Sequence, residues 1–289
     1  MFRLCQPAVV SGIQRFKVGA VVLTRVEYFD VALDPSLVQL TVEQVRAVPW
    51  ACPTWAENDG NVKLGQAVWV VQSQGRTIVV DPCGASDQFL RTLPDAIKHQ
   101  EAVMAKMRAA GLEPDHVDVV VLSHLDGIGT TAVVDRSGAW APAFAKARVV
   151  LSEIEAEFIA TCTFEIGGAA AFAALRAQGV VDPVVLPYAI TDEVELVASP
   201  GHTPGHGALV VRSNGERAVF IGHLALNPVN VTAKPSRGHL DPWQAWQTLN
   251  AILDEASRDG ALVIGPLWPA PGAAVVSGKD ASRKLTPAQ

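Results

Sequence analysis

The sequence has only two tyrosines, three methionines and four cysteines in 289 residues. Cys5, Cys52, Cys83 and Cys162 stand far apart with no C-x-x-C pair, which excludes a zinc ribbon and a thioredoxin-type motif. A chain of this size does not need disulfides to hold a core, so reduced thiols are expected. No apolar run approaches the ~18 residues of a membrane span, and the opening Met1–Pro7 lacks a secretory h-region. A cytoplasmic protein with no membrane partner is the expectation. Lys and Arg form no cluster, and 23 of them against 29 Asp and Glu leave a net charge of −6. Steering toward nucleic acid requires a basic cluster, so the expected partner is a small-molecule substrate. A homodimer is compatible with the sequence. Heptads and internal repeats are also missing, which excludes coiled coils and solenoids.

What is present reads as globular, with 49% hydrophobic and 18% charged residues. No linker rich in Gly, Ser or Pro divides the chain. One domain over residues 1–289 is expected, with a core at about 18–272 and a flexible polar tail at 277–289.

Apolar patterning locates the elements. Val18–Val26 reads as one strand, and a short helix falls near Thr41–Ala47. Ala67–Val71 and Thr77–Val80 flank Gln74-Gly75, and Ala208–Arg212 and Ala218–Ile221 flank Asn214-Gly215. Both are hairpin signals. Val117–Leu122, Ala147–Leu151, Val194–Ala198 and Ala261–Gly265 read as further strands. Helices are expected over Asp95–Ala110, from Ser152 as N-cap with Glu155 three residues on, over Ile166–Gln178, and from Asp241-Pro242 to about Ser257. This mixture of hairpins and strand–helix alternation implies an α/β fold with mixed sheets and outer helices.

Three of the seven histidines directly follow strands: His124, His202 and His223. Strand ends are where α/β sheets present functional groups. Each ring alone reads as a polar loop residue; three in equivalent places suggest a site.

Gly201-His202-Thr203-Pro204-Gly205-His206-Gly207 resembles the T-P-G-H segment of the metallo-β-lactamase superfamily. Gly75–Gly84 is similar to that family's hairpin ending in V-D-T-G, and Asp118–Leu125 to the strand leading into its H-x-H-x-D-H motif. Phe220-Ile221-Gly222-His223 sits where the family has F-T-G-D. The resemblance runs from about Val18 to Gly272 and implies an αββα sandwich of two mixed β-sheets flanked by helices, with the site at one edge of the sheets.

The metal motif departs from the family pattern. It falls on His124-Leu125-Asp126-Gly127-Ile128-Gly129, so the second-metal Asp and His become Ile128 and Gly129. The bridging Asp becomes His223, and the final His becomes Leu267, or Pro266 with a one-residue shift. A carboxylate spans two metals, whereas a neutral imidazole offers one lone pair. The resemblance therefore implies one divalent metal on His124, Asp126, His202 and His223, with Zn²⁺ foremost and Fe²⁺ or Mn²⁺ as alternatives. If the three histidines alone hold it, Asp126 is free to act as general base. A competing alignment deletes two motif residues and leaves a metal-free descendant.

The family also implies that Asp81 holds the motif loop and that His206 orients its turn rather than ligating. His239 reads as a solvated loop residue, with a substrate contact as the other reading; His99 and His116 receive no role, and Cys83 reads as buried and inert. Among seven tryptophans, Trp69 reads as core, and Trp243 and Trp246 as packing one helix face. Trp50, Trp55, Trp140 and Trp268 fall in loops that by resemblance wall a substrate pocket, with ordinary core as the other reading. Such walls suit an apolar or aromatic substrate. The readings that follow are a mononuclear metallohydrolase for a lactone or ester, a non-haem iron enzyme using His124, Asp126 and His202, and a metal-free pocket for binding or for acid–base chemistry by His124, His202 and His223.

Overall fold

Apolar alternation builds two seven-stranded sheets in the computed structural model, which describes residues 12–82, 96–125, 132–134, 139–163, 168–233 and 238–289. In chain order the first half comprises β1 (Ile13–Val18), β2 (Val21–Leu33), α1 (Val42–Arg46), β3 (Val62–Ser73), β4 (Arg76–Val80), α2 (Ala96–Ala109), β5 (Val119–Val121), β6 (Ala132–Val134) and β7 (Trp140–Pro142). Then come β8 (Arg148–Ser152), α3 (Glu153–Thr161), α4 (Ala169–Ala177), β9 (Val181–Val184), β10 (Tyr188–Thr191), β11 (Val194–Ala198), β12 (Gly207–Ser213) and β13 (Glu216–Phe220). The chain ends with α5 (Pro242–Asp259), β14 (Leu262–Ile264), β15 (Ala273–Ser277) and β16 (Lys284–Pro287).

The first sheet runs β1-β2-β3-β4-β5-β8-β9, and the second β10-β11-β12-β13-β14-β15-β16. Strand period explains the layers. In β3, Trp69 and Val71 face inward and meet Leu196, Leu209, Val211 and Phe220 of the second sheet. Their neighbours Val68 and Val70 face outward, into a cluster with Met107, Ala156, Phe172 and Leu175 of α2, α3 and α4. On the other side Val210, Val219 and Val263 pack beneath α5, which buries Ala245, Leu249, Leu253 and Ala256 at helical spacing. Each buried leucine of that stripe contributes about 1.5–3 kcal/mol. The result is an αββα sandwich.

Local chemistry fixes the turns. Gln74-Gly75 and Asn214-Gly215 both have positive φ, at 49° and 77° and at 50° and 82°, the geometry of a type I′ hairpin. Thr41 and Gln44 form a reciprocal capping box for α1, and Asp241 caps α5 ahead of Pro242.

Three expectations are corrected. Val18–Val26 is not one strand, because Gly19, at φ 58°, turns the chain into the β1–β2 hairpin. The tail from Ser277 is not frayed: β16 pairs antiparallel with β15, and Leu285 is buried. Trp243 does not pack a helix face, being 66% exposed. Among the described residues, no helix is long and apolar enough to cross a membrane. The Cys52 thiol donates to the Glu57 carbonyl at 3.4 Å and the Cys162 thiol to the Ile159 carbonyl at 3.7 Å; Cys5 and Cys83 lie outside the described residues.

Candidate metal centre

Strands β5, β11 and β13 end at one rim of the sandwich, and each delivers a histidine there. His124 follows Ser123 just past β5. The Ser123 N–H donates to Asp81 Oδ1 at 2.7 Å, and Asp81, at φ 37°, takes the Val121 carbonyl through its own N–H at 2.9 Å. Asp81 thus holds the start of the His124 loop from the adjoining strand. Ser123 Oγ meets His124 Nδ1 at 2.7 Å, which leaves Nε2 to face the cluster. The Ser123 carbonyl accepts from Gly207 N–H at 2.8 Å and ties this loop to the second sheet.

His202 and His206 lie in the β11–β12 turn. His206 is fully engaged: its Nδ1 donates to the Ser199 carbonyl at 3.0 Å, and its Nε2 accepts the His223 N–H at 3.3 Å. With both nitrogens occupied, His206 supports the His223 backbone and has no lone pair left for a metal. Burial, then the neighbouring His124, His202 and His223, push its pKa well below the ordinary imidazole value, so the ring is neutral. Gly222 lets the rings close up. It has φ 51°, and a Cβ there would stand 2.4 Å from His206 Nε2 and 2.8 Å from Ser123 Oγ.

His124, His202 and His223 are all buried, and one ring nitrogen from each lies within 4.8 Å of the others. His124 Nε2 stands 3.1 Å from His223 Nδ1. Two nitrogens on one tetrahedral zinc at ~2.0–2.1 Å sit ~3.4 Å apart, so this pair fits a shared ion. His124 also has the usual arrangement of a ligand, one nitrogen toward the cluster and the other hydrogen-bonded outside it. Neutral imidazoles suit Zn²⁺ and other borderline divalent cations. Asp126, the expected carboxylate, lies outside the described residues, as do Ile128 and Gly129.

The tryptophans divide. Trp55 and Trp268 are fully buried in the core beneath α5, and Trp268 Nε1 donates to the Ala225 carbonyl at 3.0 Å. They therefore cannot offer a wall to substrate, which corrects the pocket reading for these two. Trp50 is half-buried with its ring edge-on to Trp55 at 5.7 Å. Trp140 lies on β7 and packs against the helix-side core of the first sheet.

Sequence reasoning missed two residues. His239 is not a solvated loop ring: its Nδ1 lies 3.0 Å from His202 Nδ1, and burial, then His202 and His223, lower its pKa to about 4. The remaining signal was its place two residues before the Asp241 cap. Glu155, wholly buried, sends its carboxylate to the two ligand loops; the S-x-x-E pattern had accounted for it as a helix cap.

No protein-family model and no curated protein sequence matches this chain. Solved structures do. AidC, a dizinc quorum-quenching lactonase solved with a homoserine product, is 16% identical with a TM-score of 0.77, over 96% of this chain and 98% of its own. AbOPH, a hydrolase in the beta lactamase superfamily, is 21% identical with a TM-score of 0.75, over 97% and 99%. A probable metal-dependent hydrolase from Staphylococcus aureus is 13% identical with a TM-score of 0.68, over 95% and 100%. Identities this low speak for the backbone, and together with the sheet order they show that the chain has the αββα fold of the metallo-β-lactamase superfamily.

Proposed function

We propose that this protein is a hydrolase with a single divalent metal, zinc foremost, that opens a small apolar lactone or ester. The observation that carries the reading is the convergence of His124, His202 and His223; the resemblance puts the His223 imidazole where a bridging carboxylate would serve two metals. A cation held there would polarise the substrate carbonyl and lower the pKa of a water to ~7. The rest falls to the chain. Ser123 and Asp81 fix the His124 loop, and His206 fixes His223. Asp126, next in sequence to Leu125, is assigned as the general base that takes the proton of the attacking water. The lactonases among the similar folds support the substrate class.

A second reading rests on the same 3.1 Å contact. Without metal, one of His124 and His223 donates to the other, which makes them an acid–base pair in a binding pocket. A two-histidine, one-carboxylate iron site is disfavoured by the third imidazole.

The test is metal content per chain, by elemental analysis, for wild type and His202→Ala purified without added metal. Close to one equivalent of zinc, lost in the variant, is expected. Two equivalents would overturn the single-metal reading, and none would favour the acid–base pair. Asp126→Asn is expected to keep the metal and lose ~100-fold or more in kcat on lactones, the scale of general-base catalysis.

A further inference from the structure

The His124 and His202 loops belong to different sheets, and one buried carboxylate grips both. Glu155 is 0% exposed. Its Oε1 accepts the Leu125 N–H at 3.0 Å, and its Oε2 accepts the Thr203 hydroxyl at 2.7 Å. Leu125 is the residue after His124, and Thr203 the residue after His202. The helix does not depend on Glu155 for its cap, because Ser152 Oγ already accepts the Ile154 N–H. The His202 turn is seated directly on this position: a Cβ at Gly205 would fall 2.1 Å from Glu155 N and 2.5 Å from its Cα. Only glycine permits that approach.

We infer that Glu155 is a positioning residue for the metal centre. It fixes the spacing of His124 and His202, whose ring centroids lie 4.7 Å apart, and so sets the affinity for the cation. The inference rests on the single-metal reading above. A carboxylate removed from water must have its lone pairs filled. Here two of its donors are the residues that follow two ligands. Displacing either loop would strip a hydrogen bond from a buried carboxyl oxygen, so the spacing is stiff. Stiffness of this kind, supplied by partners outside the ligand set, is what holds a metal tightly.

Zinc affinity by chelator competition tests this on Glu155→Gln, Thr203→Val and Thr203→Ser. The Gln side chain cannot accept from two donors at both ends, and Val deletes one arm. Each is expected to weaken zinc ~10–100-fold, while Thr203→Ser, which keeps the hydroxyl, stays within ~3-fold of wild type. The cobalt-substituted spectrum is expected to shift in the two weakened proteins alone. Urea midpoints of the metal-free proteins establish that each is folded. If Glu155→Gln does not fold, the Thr203 pair decides the matter. Folded Glu155→Gln or Thr203→Val with wild-type zinc affinity would overturn the inference alone. A wild type that binds no zinc would overturn it together with the single-metal reading.

Discussion

His202 Nδ1 lies 3.0 Å from His239 Nδ1, and the backbone behind His239 reinforces the pair. Leu240 N–H donates to the His202 carbonyl at 3.1 Å, and Asp241 N–H to the Gly201 carbonyl at 2.9 Å. One of the two Nδ1 atoms carries the hydrogen. If His202 ligates through Nε2, its Nδ1–H must donate to His239, the outer partner that orients a ligand ring. His239→Ala is then expected to keep the metal stoichiometry of wild type and lose ~10-fold in affinity. His239→Asn, with an acceptor oxygen, should recover most of it. The rise in Tm on titrating zinc measures both. Complete loss of metal in His239→Ala would make His239 a ligand instead.

The lowered imidazole pKa values have a consequence for the metal-free protein. The unfolded His239 protonates near 6.5 and the folded one near 4. Above 6.5 both states are neutral and the group adds no pH dependence. Between 6.5 and 4 the unfolded chain binds the extra proton, so stability falls as pH falls through that window. His206 is shifted the same way by its burial. For the half-buried His239 the loss at pH 5 is about 1 kcal/mol after allowing for solvent screening. Urea unfolding of chelator-treated protein at pH 7 and pH 5 should show the drop, reduced in His239→Asn. Equal stability at the two pH values would contradict neutral rings.

Two tryptophans make a clean contrast. Trp268 is fully buried, whereas Trp243 is 66% exposed. Truncating Trp268 to Ala leaves a cavity and is expected to cost about 3–5 kcal/mol. Trp243→Ala should stay within ~0.5 kcal/mol of wild type. Equilibrium denaturation of both variants decides whether Trp268 is core. Near-wild-type stability for Trp268→Ala would return it to the pocket wall.

What was legible in the sequence follows from which forces are local. Hairpin tips such as Asn214-Gly215 need left-handed backbone, and their residues declare it. His124, His202 and His223 were legible as a group because strand ends fix where they emerge. The edge strands β1, β9, β10 and β16 were not recognised as separate elements. An edge pairs on one side only and tolerates proline; Val181-Asp182-Pro183-Val184 on β9 shows this. Glu155 was hidden for another reason. A local rule already explained it, and its partners at Leu125 and Thr203 are brought near only by the packing of the two sheets. Trp55 and Trp268 likewise sit in loops by sequence, and only tertiary packing turns those loops inward.

The C-terminal edge carries a last prediction. β16 pairs Leu285 with Val276 and Thr286 with Val275. Leu285 is 1% exposed, and the buried Arg283 guanidinium donates to Asp254 at 2.6 Å and to Asn250, both on α5. Removing residues 278–289 would expose Val276 and the open edge of β15, and would leave two polar groups of α5 without their cation. The expected loss is about 3 kcal/mol or more, from one leucine transferred to water and a charge-assisted pair broken. Leu285→Ala alone should cost about 2–5 kcal/mol if the strand is packed as described. A truncated protein that unfolds at the wild-type urea midpoint would show that these residues add nothing to the sheet. The metal centre lies at the other end of α5, where the Asp241 backbone pairs with the His202 turn. Loosening the far end of that helix should therefore cost stability while leaving zinc stoichiometry unchanged.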